Sequence, residues 1–350
     1  MGGGAWPQIR CKTNVMAKGR FKNPVEAVLT GIKDFNRRKN NVRELTDADR
    51  FDGQTVLVTG ANSGVGFAIA EQVARRGGRL LMACRGGHPA AGERIRARTG
   101  SEQVEMLRVD LSDMASVHRL ADELQARGEE LDVVFCNAGV ATPKARRSPQ
   151  GLDEMFMVNY VAKFILLRRL LHDGTLANAV YAGNGRSADA PRPRIVFTSS
   201  DSHRNSDPID FDELGEWQEY GVNGGISRYS YYKLVLNTFA TELSRRLNPN
   251  GATDVAVHAV CPGPVNTNIV RDAPPLLRAF LRFVFTFTFQ SPEKAAPPLV
   301  YMGGAREEEG KTNEYLHMST RRPMDEKCYD PEAGRRLWDK TEKIVRKMEG

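Results

Sequence analysis

Apolar residues along the chain follow two alternating patterns. Short continuous runs at Thr55–Thr59, Arg79–Ala83, Val104–Val109, Leu131–Cys136, Ile195–Thr198 and Val255–Val260 read as strands buried on both faces. Between them, Phe67–Arg76, Ala90–Arg98, Ser112–Arg127, Leu152–Leu171 and Tyr229–Leu247 place apolar residues at helical spacing. Ser112, with an acid in the following turn, is expected to cap its helix. Strands alternating with helices predict right-handed βαβ units, and so an α/β fold with a doubly wound parallel sheet. No linker or solenoid-length repeat interrupts residues 51–350, so the pattern predicts a single domain preceded by an N-terminal arm at 1–50.

Composition fits that picture. Of 350 residues, 41% are hydrophobic and 27% charged, which excludes a disordered chain. No apolar run reaches the length of a membrane span. The net charge of +7 is unevenly spread: residues 1–50 hold eleven bases against five acids, a surplus of six. The other 300 residues therefore carry only +1, which argues against a nucleic-acid partner. Within the arm, Val25, Val28, Leu29, Ile32 and Phe35 fall at helical spacing beside Lys33, Arg37, Arg38 and Lys39. Packing on the domain and peripheral contact with an anionic membrane both remain open for this amphipathic helix. No apolar core follows the early bases, so a signal peptide is not expected; Trp6 stands where myristoylation wants Ser or Thr. An organelle transit peptide stays open, weakened by the lack of serine. The five cysteines (Cys11, Cys84, Cys136, Cys261, Cys328) form no Cys-x-x-Cys pair, which points to a reducing intracellular compartment, cytoplasmic or peripheral to a membrane. Six histidines include no pair at ligand spacing, and no metal is implied.

The first strand runs straight into Gly60-Ala61-Asn62-Ser63-Gly64-Val65-Gly66, where a helix begins. Glycines there allow a tight turn and let backbone amides approach a pyrophosphate at the positive end of the helix. The turn predicts a dinucleotide site in a Rossmann-type sheet. An NAD site wants an acid at the end of the second strand, to bond the ribose 2′-hydroxyl. Arg85 stands there, 19 residues past Gly66, and a guanidinium suits a 2′-phosphate. NADP(H) is the preferred expectation, with NAD(H) and a merely solvent-facing Arg85 left open.

Tyr229 and Lys233 lie four apart, on one helix face. An ammonium beside a phenol stabilises the phenolate, so the pair is expected to shuttle a proton to or from a carbonyl or alcohol oxygen. Ser200, just past a strand, would hold that oxygen, and Asn159 would complete a polar relay by fixing water.

With these pieces in place, residues 51–345 resemble the short-chain dehydrogenases/reductases. The likeness rests on Thr59-Gly60…Gly64-Val65-Gly66, Asp110-Leu111-Ser112, Asn137-Ala138-Gly139, Asn159, Ser199-Ser200, Tyr229…Lys233 and Pro262-Gly263-Pro264-Val265-Asn266-Thr267. It implies that Asp110 contacts adenine, that Asn137, Ala138 and Gly139 support the central strand beside the cofactor, and that Thr267 reaches the nicotinamide side. It also implies that Asn159, Ser200, Tyr229 and Lys233 form the catalytic tetrad. Ala83-Cys84-Arg85, Ser291-Pro292-Glu293, Arg335-Arg336-Leu337-Trp338 and the 29-residue interval from Ser200 to Tyr229 are similar to the retinol-dehydrogenase-like branch. Cys136 departs from the common asparagine, and residues 172–194 look like an inserted loop. The basic arm also differs from a single hydrophobic anchor helix.

Residues 275–290, where the resemblance implies a substrate lid, set Phe283, Phe285, Phe287 and Phe289 at alternating positions. They would wall a pocket for a lipophilic substrate such as a retinoid, sterol ketone or fatty aldehyde. Core packing, a contact in a homo-oligomer and contact with a membrane remain alternatives. The expected function is hydride transfer between NADP(H) and a lipophilic carbonyl or alcohol. The rival readings are a dinucleotide-binding sensor or scaffold without turnover, and a broad-specificity carbonyl reductase or protochlorophyllide-type reductase.

Overall fold

The structure is a computed structural model that describes residues 41–187, 189–265 and 290–349. Eight strands form one sheet in the order β3-β2-β1-β4-β5-β6-β7-β8. They are β1 Thr55–Thr59, β2 Arg79–Cys84, β3 Val104–Arg108, β4 Val133–Cys136, β5 Arg194–Thr198, β6 Ala256–Cys261, β7 Glu314–His317 and β8 Thr320–Arg321. All neighbours pair parallel except β7 with β8, which closes a short hairpin at the edge. The strand order reverses between β1 and β4, and at such a switch point an open sheet leaves a crevice beyond its carboxyl ends.

Alternation along each strand feeds two apolar layers. On one face, Leu57, Val134, Ile195 and Val257 pack with Leu120, Phe164, Leu234 and Phe239. On the other, Val56, Val58, Phe135 and Val260 meet Ile69, Val73, Leu299 and Met302. The helices supplying these layers are α1 Gly64–Arg75, α2 Ala90–Thr99, α3 Met114–Ala126, α4 Glu154–Phe156, α5 Ala162–His172, α6 Val222–Leu247, α7 Pro292–Ala295, α8 Pro297–Gly304 and α9 Pro331–Glu349. None among the described residues is long and apolar enough to cross a membrane.

Three local features depart from the periodicity. Asp113, not Ser112, caps α3, accepting from Ala115 N at 3.1 Å. Ser112 is turned away because its N–H and hydroxyl both donate to the Asp110 carboxylate, at 2.9 and 2.7 Å. The helix expected over 152–171 is broken by a π turn at Met157–Val161, between α4 and α5. Helix α6 starts at Val222, ahead of Tyr229; Gly224 and Gly225 suggest a loop, yet a Cβ on Gly225 would strike the Thr142 carbonyl, so glycine lets the helix rest there. The C-terminal α9 lays Trp338 edge-on against Phe164 at 5.0 Å and against Phe239. That covers part of the long-helix surface with the chain itself.

Residues 41–50 are packed on the domain. Val42 N donates to Ser319 O at 2.7 Å, and Arg43 bridges Asp49 and Glu307. The amphipathic stretch from Val25 to Phe35, Thr267 and the four phenylalanines at 283–289 lie outside the described residues.

Candidate active site

Beyond the carboxyl ends of six parallel strands lies a cleft of about 660 Å³. Gly60, Asn62, Ser63, Gly64, Val65 and Gly66 line it after β1, Arg85 after β2, and Asp110 after β3. Asn137, Ala138 and Gly139 follow β4, Ser200 follows β5, and Tyr229 and Lys233 reach it from α6. The residues expected for catalysis and cofactor binding therefore line this cleft, apart from Thr267, which is not described, and Asn159, which stands behind the wall. Arg85 and Ser200 are separated by three strand spacings, roughly 14 Å.

The glycine turn is shaped by close approach. Gly60 and Gly64 adopt φ of 68° and 57°, where side chains are strained. A Cβ on Gly66 would strike the Gly60 carbonyl oxygen and Asn137 Nδ2. Helix α1 then opens without a side-chain cap from Ser63 and without an acid in its first turn, so its first amides and its dipole are open to an anion. This cradle fits the diphosphate of a dinucleotide. The Arg85 guanidinium is about half exposed and lies 3.7 Å from the Asp110 carboxylate, whose other oxygen is held by Ser112. The Ser112 hydrogen bonds and the Arg85 charge outweigh partial burial and lower the pKa of Asp110.

The loop after β4 is fixed at successive points. Asn137 Nδ2 donates to Thr59 O at 3.1 Å, and Ala138 N donates to Thr59 Oγ1 at 3.2 Å. Val140 N donates to Asn159 Oδ1, and Asn159 Nδ2 donates to Val140 O, each at 2.8 Å. The Asn159 side chain thus binds backbone, and the Asn159 backbone carbonyl accepts from Lys163 Nζ at 2.9 Å. The π turn carrying it widens the helix locally.

At the reaction end, Lys233 Nζ donates to Thr198 O at 2.8 Å and lies 5.4 Å from the centre of the Tyr229 ring. Burial pulls the Lys233 amine down to about 8. Burial also raises the Tyr229 phenol above its ordinary value; a hydrogen bond with Ser200 opposes the rise. With the protein's own groups alone, desolvation outweighs the opposing pull of Ser200 at the phenol. Ser200 Oγ also accepts from Ser202 N at 3.3 Å.

Several residues of the site escape the sequence reading. Thr198 links the halves, its hydroxyl donating to Asn137 Oδ1 at 3.2 Å while its carbonyl receives Lys233. Cys261 lines the cleft and its Sγ accepts from Asp201 N at 3.2 Å, joining the loops after β5 and β6. His203, given no role from the sequence, is buried; Nδ1 donates to Ser200 O at 2.7 Å and Nε2 accepts from Asp325 N at 3.0 Å. Burial lowers its pKa to about 4, so it is a neutral strut beneath Ser200. Lys163 is buried against Ala138 and Asn159. Only Lys163 left a readable signal: a lone charge inside an apolar run, four residues after Asn159.

Known proteins resemble this chain. The profile of the family described as short chain dehydrogenase matches residues 54–205. The chain is 32% identical over 299 residues to retinol dehydrogenase 13 of Homo sapiens, covering 84% of this chain and 85% of that protein. To retinol dehydrogenase 14 of Homo sapiens it is 31% identical over 325 residues, covering 88% and 91%. A crystal structure of an uncharacterized protein from Mycobacterium paratuberculosis superposes with a TM-score of 0.65 at 25% identity, covering 87% of this chain and 98% of that one.

Proposed function

Because the chain belongs to the short-chain dehydrogenase family and is similar to retinol dehydrogenases, we propose that it is an NADP(H)-dependent oxidoreductase acting on a carbonyl or alcohol of a lipophilic substrate. The observation that carries the reading is the meeting of Ser200, Tyr229 and Lys233 in the cleft that the glycine cradle opens. Gly60–Gly66 and the first turn of α1 would hold the diphosphate, and Arg85 a 2′-phosphate. When bound, the dinucleotide supplies a hydride to the carbonyl carbon, or receives one from the alcohol carbon. Ser200 would hydrogen-bond the substrate oxygen and orient it toward the Tyr229 hydroxyl. Tyr229 would donate its proton to that oxygen during reduction and recover it during oxidation. Lys233, steadied by Thr198 O, supplies positive charge beside the phenol, favouring the phenolate when the proton leaves.

The substrate class is supported by the likeness to proteins named for retinol and by the phenylalanine-rich run at 283–289. Peripheral contact with an anionic membrane is part of the same proposal, supported by the surplus of six positive charges in residues 1–50. An intracellular, reducing location is supported by four described cysteines that are all free and buried.

The test is turnover of purified protein with NADPH or NADH against retinal, long-chain aldehydes, sterol ketones and sugars. NADPH and the lipophilic carbonyls should give the higher kcat/KM, by about tenfold or more over sugars. Arg85→Asp should move cofactor preference toward NADH by about ten- to a hundredfold, the worth of a charged hydrogen bond. Equal kcat/KM for sugars and long-chain aldehydes, or unchanged preference in Arg85→Asp, would defeat the substrate or the cofactor assignment respectively.

A further inference from the structure

Lys163 is the sole charged residue in the run from Phe156 to Leu167, and it is 2% exposed. Its Nζ donates to Ala138 O at 2.8 Å, Asn159 O at 2.9 Å and Val158 O at 3.0 Å. The ammonium's three N–H bonds are therefore all taken by backbone carbonyls. Among the described residues the titratable groups that face it are the Cys136 thiol, at the end of β4, and the Lys233 ammonium on α6; no carboxylate does. Burying a charge without an ionic partner is costly, and a methionine would fill much the same volume without that cost. A lysine here implies a use for its charge, its three donors, or both.

What it joins is specific. Two of the carbonyls belong to the π turn that carries Asn159, and the third belongs to the loop after β4. Asn159 already ties that turn to Val140, two residues further along the same loop. From Ala138 the bonds continue through Asn137 Oδ1 to Thr198, and from Thr198 O to Lys233 beside the Tyr229 ring. The two buried lysines are thus linked across the cleft wall by three hydrogen bonds joined covalently through Asn137-Ala138 and Thr198.

We propose that Lys163 is a positioning residue of the reaction centre: it locks the Asn159 turn to the loop 137–140 and presents a second buried ammonium to the Lys233–Tyr229 pair. This rests on the oxidoreductase reading above. Its sign follows from charge. A proton on Lys163 disfavours one on Lys233 and favours the Tyr229 phenolate. Burial and the Lys233 charge hold the Lys163 amine down to about 7, so its charge changes near neutral pH. On losing that proton it also loses one of its three donors.

Lys163→Met and Lys163→Gln in the full chain, compared with the unaltered protein, test this by three readouts: pH-dependent kinetics, NADPH binding, and amide hydrogen exchange without cofactor. Lys163→Met should lower kcat about ten- to a hundredfold while the Kd for NADPH moves by less than about threefold. Lys163→Gln, with two donors and no charge, should recover most of that kcat yet shift the pH limb nearest neutrality. Exchange over residues 138–141 and 157–161 should rise about tenfold in Lys163→Met and stay near the unaltered level in Lys163→Gln. Should Lys163→Met fail to fold, Lys163→Gln still reports through the pH limb. Unaltered exchange in Lys163→Met overturns the proposal, as does an unaltered kcat and pH profile in both variants, or NADPH binding that falls as far as kcat. Should the unaltered protein turn over no carbonyl or alcohol, the oxidoreductase reading fails, while the exchange comparison still decides whether Lys163 locks the loop.

Discussion

The two halves of the cleft are built by different means. The phosphate turn of the nucleotide half is made of contiguous backbone: seven residues turn from β1 into α1, and their close packing depends on what has no side chain, as at Gly66. The reaction half is made of side chains from distant elements. Ser200 follows β5, Tyr229 and Lys233 sit on α6, Asn159 lies in the π turn with Lys163 just after it on α5, and Cys261 ends β6. The first half binds with dipoles that folding the turn sets in place. The second holds two buried amines whose pKa values are lowered by burial to about 7 and about 8.

The comparison predicts unequal damage. Tyr229→Phe removes only the proton-carrying hydroxyl, so kcat should fall by about 10²- to 10⁴-fold while NADPH binding, measured by fluorescence titration, stays within about threefold. Loss of binding alongside turnover would mean that the two halves are not separable. Gly66→Ala should do the reverse. Its methyl presses on the Gly60 carbonyl and the Asn137 amide, so stability should drop by about 1–3 kcal/mol and NADPH affinity about tenfold or more. Denaturant unfolding and titration together check it; an alanine that binds as well as glycine would deny the close approach.

The smallest effect is the most diagnostic of the reaction half. Lys163 and Lys233 have folded pKa values below the 10.5 of a free lysine. Between those values the unfolded chain holds more protons than the native one, so stability should rise with pH from about 7 toward 10. Each amine contributes at most about 1.4 kcal/mol per pH unit. Relative to Lys163→Met, the unaltered protein should therefore gain in Tm as pH climbs across that window. A Tm difference that does not change with pH would place the Lys163 amine in solvent.

Legibility follows the same division. The inner strands through β6 were readable because a strand buried on both faces is largely apolar, as Val56–Val58 and Val133–Cys136 are, whereas β3 at the sheet edge is only partly buried and carries Glu105 and Arg108. Strand β8 has two residues, too few for any period, and β7 runs Glu314-Tyr315-Leu316-His317 with polar ends. The start of α6 was hidden by Gly224 and Gly225, which suit the Thr142 backbone rather than a loop. The π turn leaves no trace in an unbroken apolar pattern from Leu152 to Leu171. Tyr229, Lys233 and the glycine turn were found because each is a local spacing. Thr198, Cys261 and the strut His203 were not, because their roles exist only through partners dozens of residues away.

Sequence alone determined the βαβ alternation, the phosphate turn and the identity of the tyrosine and lysine, since each depends on neighbours within about one turn of chain. Only the tertiary structure set the direction of that pair's pKa shifts. A pKa responds to burial and to charges brought close by folding, and desolvation lifts Tyr229 while it lowers Lys233. The same is true of Lys163, whose three carbonyl partners come together only when the loop after β4 meets the π turn.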